Sequence, residues 1–293
     1  MDPWQDVERS IGAASGASFA IESRAGTGGG CINECYVVRG GGRTWFVKLN
    51  SAARRQMFAA EAEGLAEIER SATVRVPRPL CHGGNERASW LVLEHLELLP
   101  GDERSMGRLG RGLARMHRVT ATRHGWHRDN TIGATPQVNT GSSDWIAFWG
   151  GHRLAFQLKL AASRGHGGRL VAAGERLLAA LPSFFRGYAP QPSLLHGDLW
   201  SGNAGRLPNG EPVIYDPAVY YGDREADLAM TELFGGFPPS FYEAYASEYP
   251  LDSGYATRKD LYNLYHVLNH LNLFGGGYGA QALRMIDRLL AIA

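Results

Sequence analysis

An aspartate, an asparagine five residues later and a second aspartate closing the next apolar run constrain this chain more than any other feature. They lie in the stretch from Leu194 to Asp216, LLHGDLWSGNAGRLPNGEPVIYD, as Asp198, Asn203 and Asp216. A carboxylate on a tight HGD turn can orient an attacking hydroxyl and take its proton. An amide oxygen and a second carboxylate are the hard oxygen donors that magnesium accepts while leaving positions for phosphate oxygens. Asp198 taken alone reads as a turn residue. With Asn203 and Asp216 at this spacing, the pattern points to phosphoryl transfer from a magnesium nucleotide, with Asp198 as base and Asn203 and Asp216 as metal ligands.

Bulk properties remove several alternatives. At 293 residues the chain can build two lobes or one large core. Its net charge of +1 gives no overall footprint for nucleic acid or an anionic membrane. No apolar run approaches the ~20 residues of a membrane helix. The opening MDPWQDVERSIG lacks a basic region followed by an apolar one, so it reads as mature cytoplasmic sequence. Cys31, Cys35 and Cys81 match neither a disulfide framework nor common zinc spacings.

The distribution of elements sets the architecture. Residues 4–14 read as a helix and 18–23 (SFAIES) as a weak strand, followed by the glycine-rich turn of residues 26–30. CINECYVV and TWFVKL read as strands joined by Arg39-Gly40-Gly41-Gly42, a hairpin signal. Residues 52–70 have helical composition, Pro77 and Pro79 interrupt the chain, and SWLVLEHLEL reads as an apolar strand. Helices then dominate: 106–118, 145–162, 170–181, 226–233, 239–248, 257–273 and 280 to the end, with residues 124–143 as loop. Strands early and helices late indicate an α+β, bilobal, protein-kinase-like fold. The expected division is a β-rich N-lobe over 1–98 and a mostly helical C-lobe over 99–293, with the site between them.

The N-terminal third supplies nucleotide-binding candidates. Lys48 ends an apolar strand, from which a lysine can reach phosphates. Its acidic partner should be Glu61 or Glu63; residues two apart face different ways on a helix, so only one points inward. Gly28, Gly29 and Gly30 lie between two strands and before the lysine, where peptide N–H groups can approach phosphates. Cys31 follows, as a packed small side chain or a redox-sensitive thiol. Glu94, His95 and Leu96 take the hinge position, whose backbone would bind adenine. Trp200, two residues past Asp198, reads equally as a wall for a sugar ring or as a core residue. His196 braces the loop.

HGDLWSGN, YDPAVYYGDREADLAM, TELFGGFPPSFYEAY, NTIGATPQVNTGSSDWIAFW, FVKLN and GCINE together resemble the fructosamine kinase (ketosamine-3-kinase) family over nearly the whole chain. That resemblance implies an ATP- and Mg²⁺-dependent kinase acting on the 3-hydroxyl of a free or protein-bound ketosamine, which frees the amine from its sugar. It implies Glu61 as the partner of Lys48, because RRQMFAAE matches the family's pattern, and it favours a redox role for Cys31. Two other readings stand beside it. One is a kinase of the aminoglycoside or choline type, whose cationic acceptor Asp223, Glu225 and Asp227 could receive. The other is a non-catalytic nucleotide-binding scaffold. The chain is expected to act as a monomer or homodimer, with no nucleic-acid or membrane partner.

Overall fold

The computed structural model describes residues 2–28 and 32–293. A first helix, α1 (Pro3–Ser15), starts on an Asp2 side chain that accepts from the Trp4 amide and stops at Gly16, which takes the left-handed conformation. Five strands follow as one antiparallel sheet: β1 (Ser23–Thr27), β2 (Glu34–Gly40), β3 (Arg43–Ser51), β4 (Pro79–Gly84) and β5 (Ala88–Glu94), in the order β1-β2-β3-β5-β4. Helix α2 (Arg55–Arg70) connects β3 to β4.

Alternation along the strands divides this sheet's core. Val47, Leu49, Trp90 and Val92 join Trp4, Val7 and Ile11 of α1 in one cluster. Leu91 and Leu93 face the other way and pack with Phe58, Leu65 and Ile68 of α2. Period-two geometry therefore puts Lys48 on the α2 side, opposite Leu91 in the β3–β5 register.

Two local expectations fail here. The strand placed at 18–23 starts only at Ser23. Phe19 is instead buried in the α1 cluster and the Ile21 amide donates to the Glu8 carboxylate, at 2.6 Å, so this segment closes the end of the core. Strand β4 was hidden by Pro77 and Pro79, read as breakers. It is an edge strand with a register shift between Pro79 and Cys81, where a missing N–H costs little.

Beyond Glu94 the helices take over. Helix α3 (Glu103–Met116) begins in a capping box between Asp102 and Ser105. The expected loop 124–143 contains a small hairpin, β6 (Asn130–Ile132) with β7 (Thr135–Gln137). The single helix expected over 145–162 is three pieces: α4 (Trp145–Phe148), a wide π-type stretch (Trp149–Ala155) and α5 (Phe156–Ser163). Two features accompany the wide turn. Gly150-Gly151 weakens the regular helix, and buried Arg153 turns in to stack over Phe148 and Tyr220. Helix α6 (Arg169–Ala180) leads to the short strands β8 (Ser193–Leu195), β9 (Ala204–Arg206), β10 (Pro212–Ile214) and β11 (Tyr220–Gly222). Helices α7 (Glu225–Leu233), α8 (Pro239–Glu248), α9 (Tyr255–Phe274) and α10 (Tyr278–Leu290) complete the fold. The larger core cluster runs from α2 through these helices. Among the described residues no helix is long and apolar enough to cross a membrane.

Candidate active site

Three charges from distant parts of the chain converge beside the sheet. The Lys48 ammonium donates to Glu61 of α2 at 2.5 Å and to Asp216 at 2.6 Å. Burial alone would favour the neutral amine, but Asp216 and Glu61 outweigh it and hold Lys48 well above its ordinary value. Of the two acids open on the sequence alone, Glu63 points elsewhere, to Arg128 at 2.5 Å and His127 at 2.9 Å. Asp216 follows β10 in the left-handed conformation, φ 58°, which costs a residue with a Cβ about 1 kcal/mol. Its side chain is 47% exposed, so the carboxylate that meets Lys48 also faces the open site.

The loop carrying Asp198 hangs from one buried carboxylate. Asp227 of α7 accepts from the His196 amide at 2.7 Å and the Gly197 amide at 2.8 Å, and lies 3.1 Å from His117 Nε2. Burial would raise Asp227, yet the hydrogen bonds from His117 and Gly197 keep it below the usual carboxylate range. Burial holds both His117 and His196 below their ordinary values. Because a carbonyl only accepts and a backbone N–H only donates, His196 Nε2 donates to the Tyr215 carbonyl at 3.0 Å and its Nδ1 accepts from the Asp198 amide at 3.3 Å. His196 thus braces the Asp198 loop against the segment bearing Asp216. Gly197 sits at φ 82°, and a Cβ there would fall 2.1 Å from the Ala218 carbonyl, so only glycine fits this crossing.

Asp198 is half-buried, and its carboxylate makes no hydrogen bond among the described residues. Burial, then the charges of Asp216 and Asp227, push it up to about 7. Asn203 is buried and donates its amide to the Asp198 carbonyl at 2.9 Å, and its side-chain oxygen has no hydrogen bond among the described residues. An amide oxygen and a half-exposed carboxylate are a donor set that suits Mg²⁺.

The sequence reading missed the support behind Asp216. Asn130 and Gln137 donate to the carbonyls of Val219 and Ala218, at 2.8 and 3.1 Å. Tyr265 donates to Gln137, and Arg153 reaches Asn139 at 2.7 Å. These amides come from the stretch read as loop; runs of Asn, Gln and Thr carry no apolar period to mark them as buried. The acids considered for a cationic acceptor are also buried. Asp223 accepts from Tyr262 at 2.5 Å and Tyr188 at 2.9 Å, Glu225 forms a two-point pair with Arg258, and Asp227 holds the loop.

Trp200 is not a core residue. It is 39% exposed and meets Phe234 edge-on at 6.3 Å. His270 lies 5.0 Å from Phe234, 5.6 Å from Phe274 and 5.2 Å from Tyr278, extending an aromatic surface beside the Asp198 loop. Only Trp200 of this set was singled out beforehand. Glu94 ends β5 and pairs with Arg75, while His95 and Leu96 lie half-buried past the last ladder pair, Trp45 with Glu94. Gly28 is exposed just after β1, with nothing within 4 Å of a Cβ built there. Gly29, Gly30 and Cys31 lie outside the described residues.

Comparisons with known proteins give the chain's relatives and fold. The fructosamine kinase family model matches residues 3–292. A probable ketoamine kinase of Synechocystis is 49% identical over 99% of this chain and 98% of its own length. A chloroplastic protein-ribulosamine 3-kinase of Arabidopsis thaliana is 43% identical over 94% of this chain and 85% of its own. The solved Haemophilus somnus structure named for fructosamine-3-kinase superposes with a TM-score of 0.91 at 28% identity, covering 98% of this chain and 97% of that one. At the level of fold alone, a choline kinase from Streptococcus pneumoniae gives a TM-score of 0.61 at 15% identity, over 99% of each chain, in keeping with a protein-kinase-like α+β architecture.

Proposed function

The chain belongs to the fructosamine kinase family and is a phosphotransferase, and from that premise we propose that it phosphorylates the 3-hydroxyl of a ketosamine, free or protein-bound, with ATP as donor. The observation that carries this reading is the convergence of Lys48, Glu61 and Asp216 with the braced loop of Asp198 and Asn203. Asp198, raised to about 7, takes the proton of the acceptor hydroxyl as that oxygen bonds to the γ-phosphorus and the bond to ADP breaks. Lys48, kept charged by its two acids, binds the donor's α- and β-phosphates, and Glu61 holds it in position. The Asn203 oxygen and Asp216 would hold Mg²⁺, which offsets phosphate charge when bound. Gly28, Gly29 and Gly30 are the candidates whose peptide N–H groups meet the phosphates, and the hinge backbone at Glu94, His95 and Leu96 receives adenine. Trp200, with Phe234 and His270, gives the sugar an aromatic wall.

The test is ATP consumption with Mg²⁺ over ketosamines of different sugar length, with choline and aminoglycosides as competing acceptors. Turnover of a ribulosamine or fructosamine, with a 3-phosphate product, is expected; absence of turnover across the whole ketosamine set sinks the reading. Trp200→Ala should raise KM for the ketosamine about tenfold, the effect of losing ~1.4 kcal/mol of contact, and leave KM for ATP unchanged. A change in KM for ATP alone would remove Trp200 from the acceptor side.

A further inference from the structure

Helix α3 carries arginine at 104, 108, 111 and 115. At ~100° per residue these positions fall within roughly 60° of one another on a single helical face. That face forms one wall of a cavity of about 480 Å³, which Arg75 and Glu211 line from across it and none of the proposed catalytic residues touches. The walls are held close. A Cβ at Gly112 would lie 2.9 Å from the Thr73 carbonyl and 3.1 Å from the Val74 side chain.

The charge here is local and only partly answered; Glu211 adds one carboxylate to the lining against five arginines. Arg75 pairs with Glu94 and Arg115 with Glu248, at the latter's 3.2 Å. Among the described residues Arg108 reaches only the Gly210 carbonyl, at 3.2 Å. The side chains of Arg104 and Arg111 make no hydrogen bond or ion pair among the described residues. Like charges three and four apart repel along a helix, and Arg104, in the first turn, also opposes the helix dipole. The arrangement therefore works against the stability of the empty protein, in a chain whose net charge is only +1. An anion in the cavity would offset all of these repulsions together.

We propose that this cavity is a second ligand site that takes an oligophosphate, either free or as the tail of a nucleotide. Guanidinium forks match phosphate oxygens in two-point contacts. Arg104 and Arg111 are separated by ~10 Å of helical rise, so a row of phosphates meets the whole face where a single phosphate meets one or two forks. The volume is that of a small-molecule site. Glu94 and Glu248, paired to Arg75 and Arg115, interrupt the basic track, which a nucleic-acid strand would need to be continuous.

Metal-free titration calorimetry with inorganic tripolyphosphate tests this on the intact protein and on the Arg104→Gln/Arg111→Gln double variant. Both positions are exposed, and matching melting curves establish that the variant is folded. The expected result is a binding event in the wild type that weakens at least tenfold in the variant, with orthophosphate binding at least tenfold more weakly than tripolyphosphate. Adenosine tetraphosphate binding tenfold tighter than tripolyphosphate through the same arginines identifies the nucleotide form; equal affinity identifies the phosphate chain alone. Identical isotherms for wild type and variant overturn the proposal, as does orthophosphate binding as tightly as tripolyphosphate. A single-stranded RNA that binds tenfold tighter than tripolyphosphate through these arginines overturns it in favour of nucleic acid.

Discussion

Asp198→Asn is expected to lower kcat by roughly 10²–10⁴-fold while making the ligand-free protein more stable above neutral pH. Both effects come from the same environment. The carboxylate is half-buried, lies near the charges of Asp216 and Asp227, and has no hydrogen bond among the described residues to favour its ionised form, so its value rises from 3.8 to about 7. The folded state therefore prefers the neutral acid. Below about pH 4 the group is protonated both folded and unfolded and imposes no penalty. Between about 4 and 7 the unfolded chain releases the proton first, so folding stability falls as pH rises; above about 7 the penalty is constant. Three pH units correspond to an upper bound of about 4 kcal/mol, and we expect about half of that to be realised. Asparagine has the same shape without the charge. Melting curves at pH 4.5 and pH 8, without nucleotide or metal, check the sign: the gain over wild type should be small at the lower pH and several degrees at the higher. An equal shift at both values would mean that Asp198 is not held against its ionisation. Retention of more than a tenth of wild-type kcat would remove it as the base.

Asp227→Ala is expected to cost about 3–5 kcal/mol of stability, the scale for leaving buried polar groups without their charged partner. Asp227 serves the amides of His196 and Gly197 and the ring of His117, all buried. Its low value means that this support is complete above the ordinary carboxylate range and is lost as pH falls through the folded value. Urea unfolding at pH 7 measures the loss. Asp227→Asn separates positioning from folding, because the amide retains one acceptor but turns an N–H toward one of the backbone donors. It should fold and show kcat reduced tenfold or more with KM for ATP nearly unchanged. Equal stability of Asp227→Ala and wild type would rule out the tether.

The local elements were legible where residue pattern and packing agree. Helix α8 spans 239–248 as its sequence indicates, and β3 places Lys48 at the close of an apolar run. Reading failed where a neighbour changed the meaning of a residue. Pro79 is tolerated because β4 is an edge, and the Trp145–Ser163 region widens around a buried Arg153. The pairing of Lys48 with Glu61 rather than Glu63 was open on spacing and came from the family resemblance; in the structure the reason is that Glu63 turns to Arg128.

By itself the sequence determined the chemical types of the site: a carboxylate on a glycine turn, an amide and a carboxylate at magnesium spacing, a lysine on a strand and an aromatic nearby. Those are local facts, set within a few residues of each other or by the period of one strand. Tertiary structure alone decided which acids are structural and which stay open at the site. Asp223, Glu225 and Asp227 are polar, close to the site in sequence and indistinguishable from substrate-binding acids until their partners appear, from Tyr188 to Arg258. Lys48 meets Asp216 across 168 residues of chain, and no local pattern encodes a contact of that separation. A charge buried with its partners supports the fold, whereas the same charge left half-open, as at Asp198 and Asp216, remains available for chemistry.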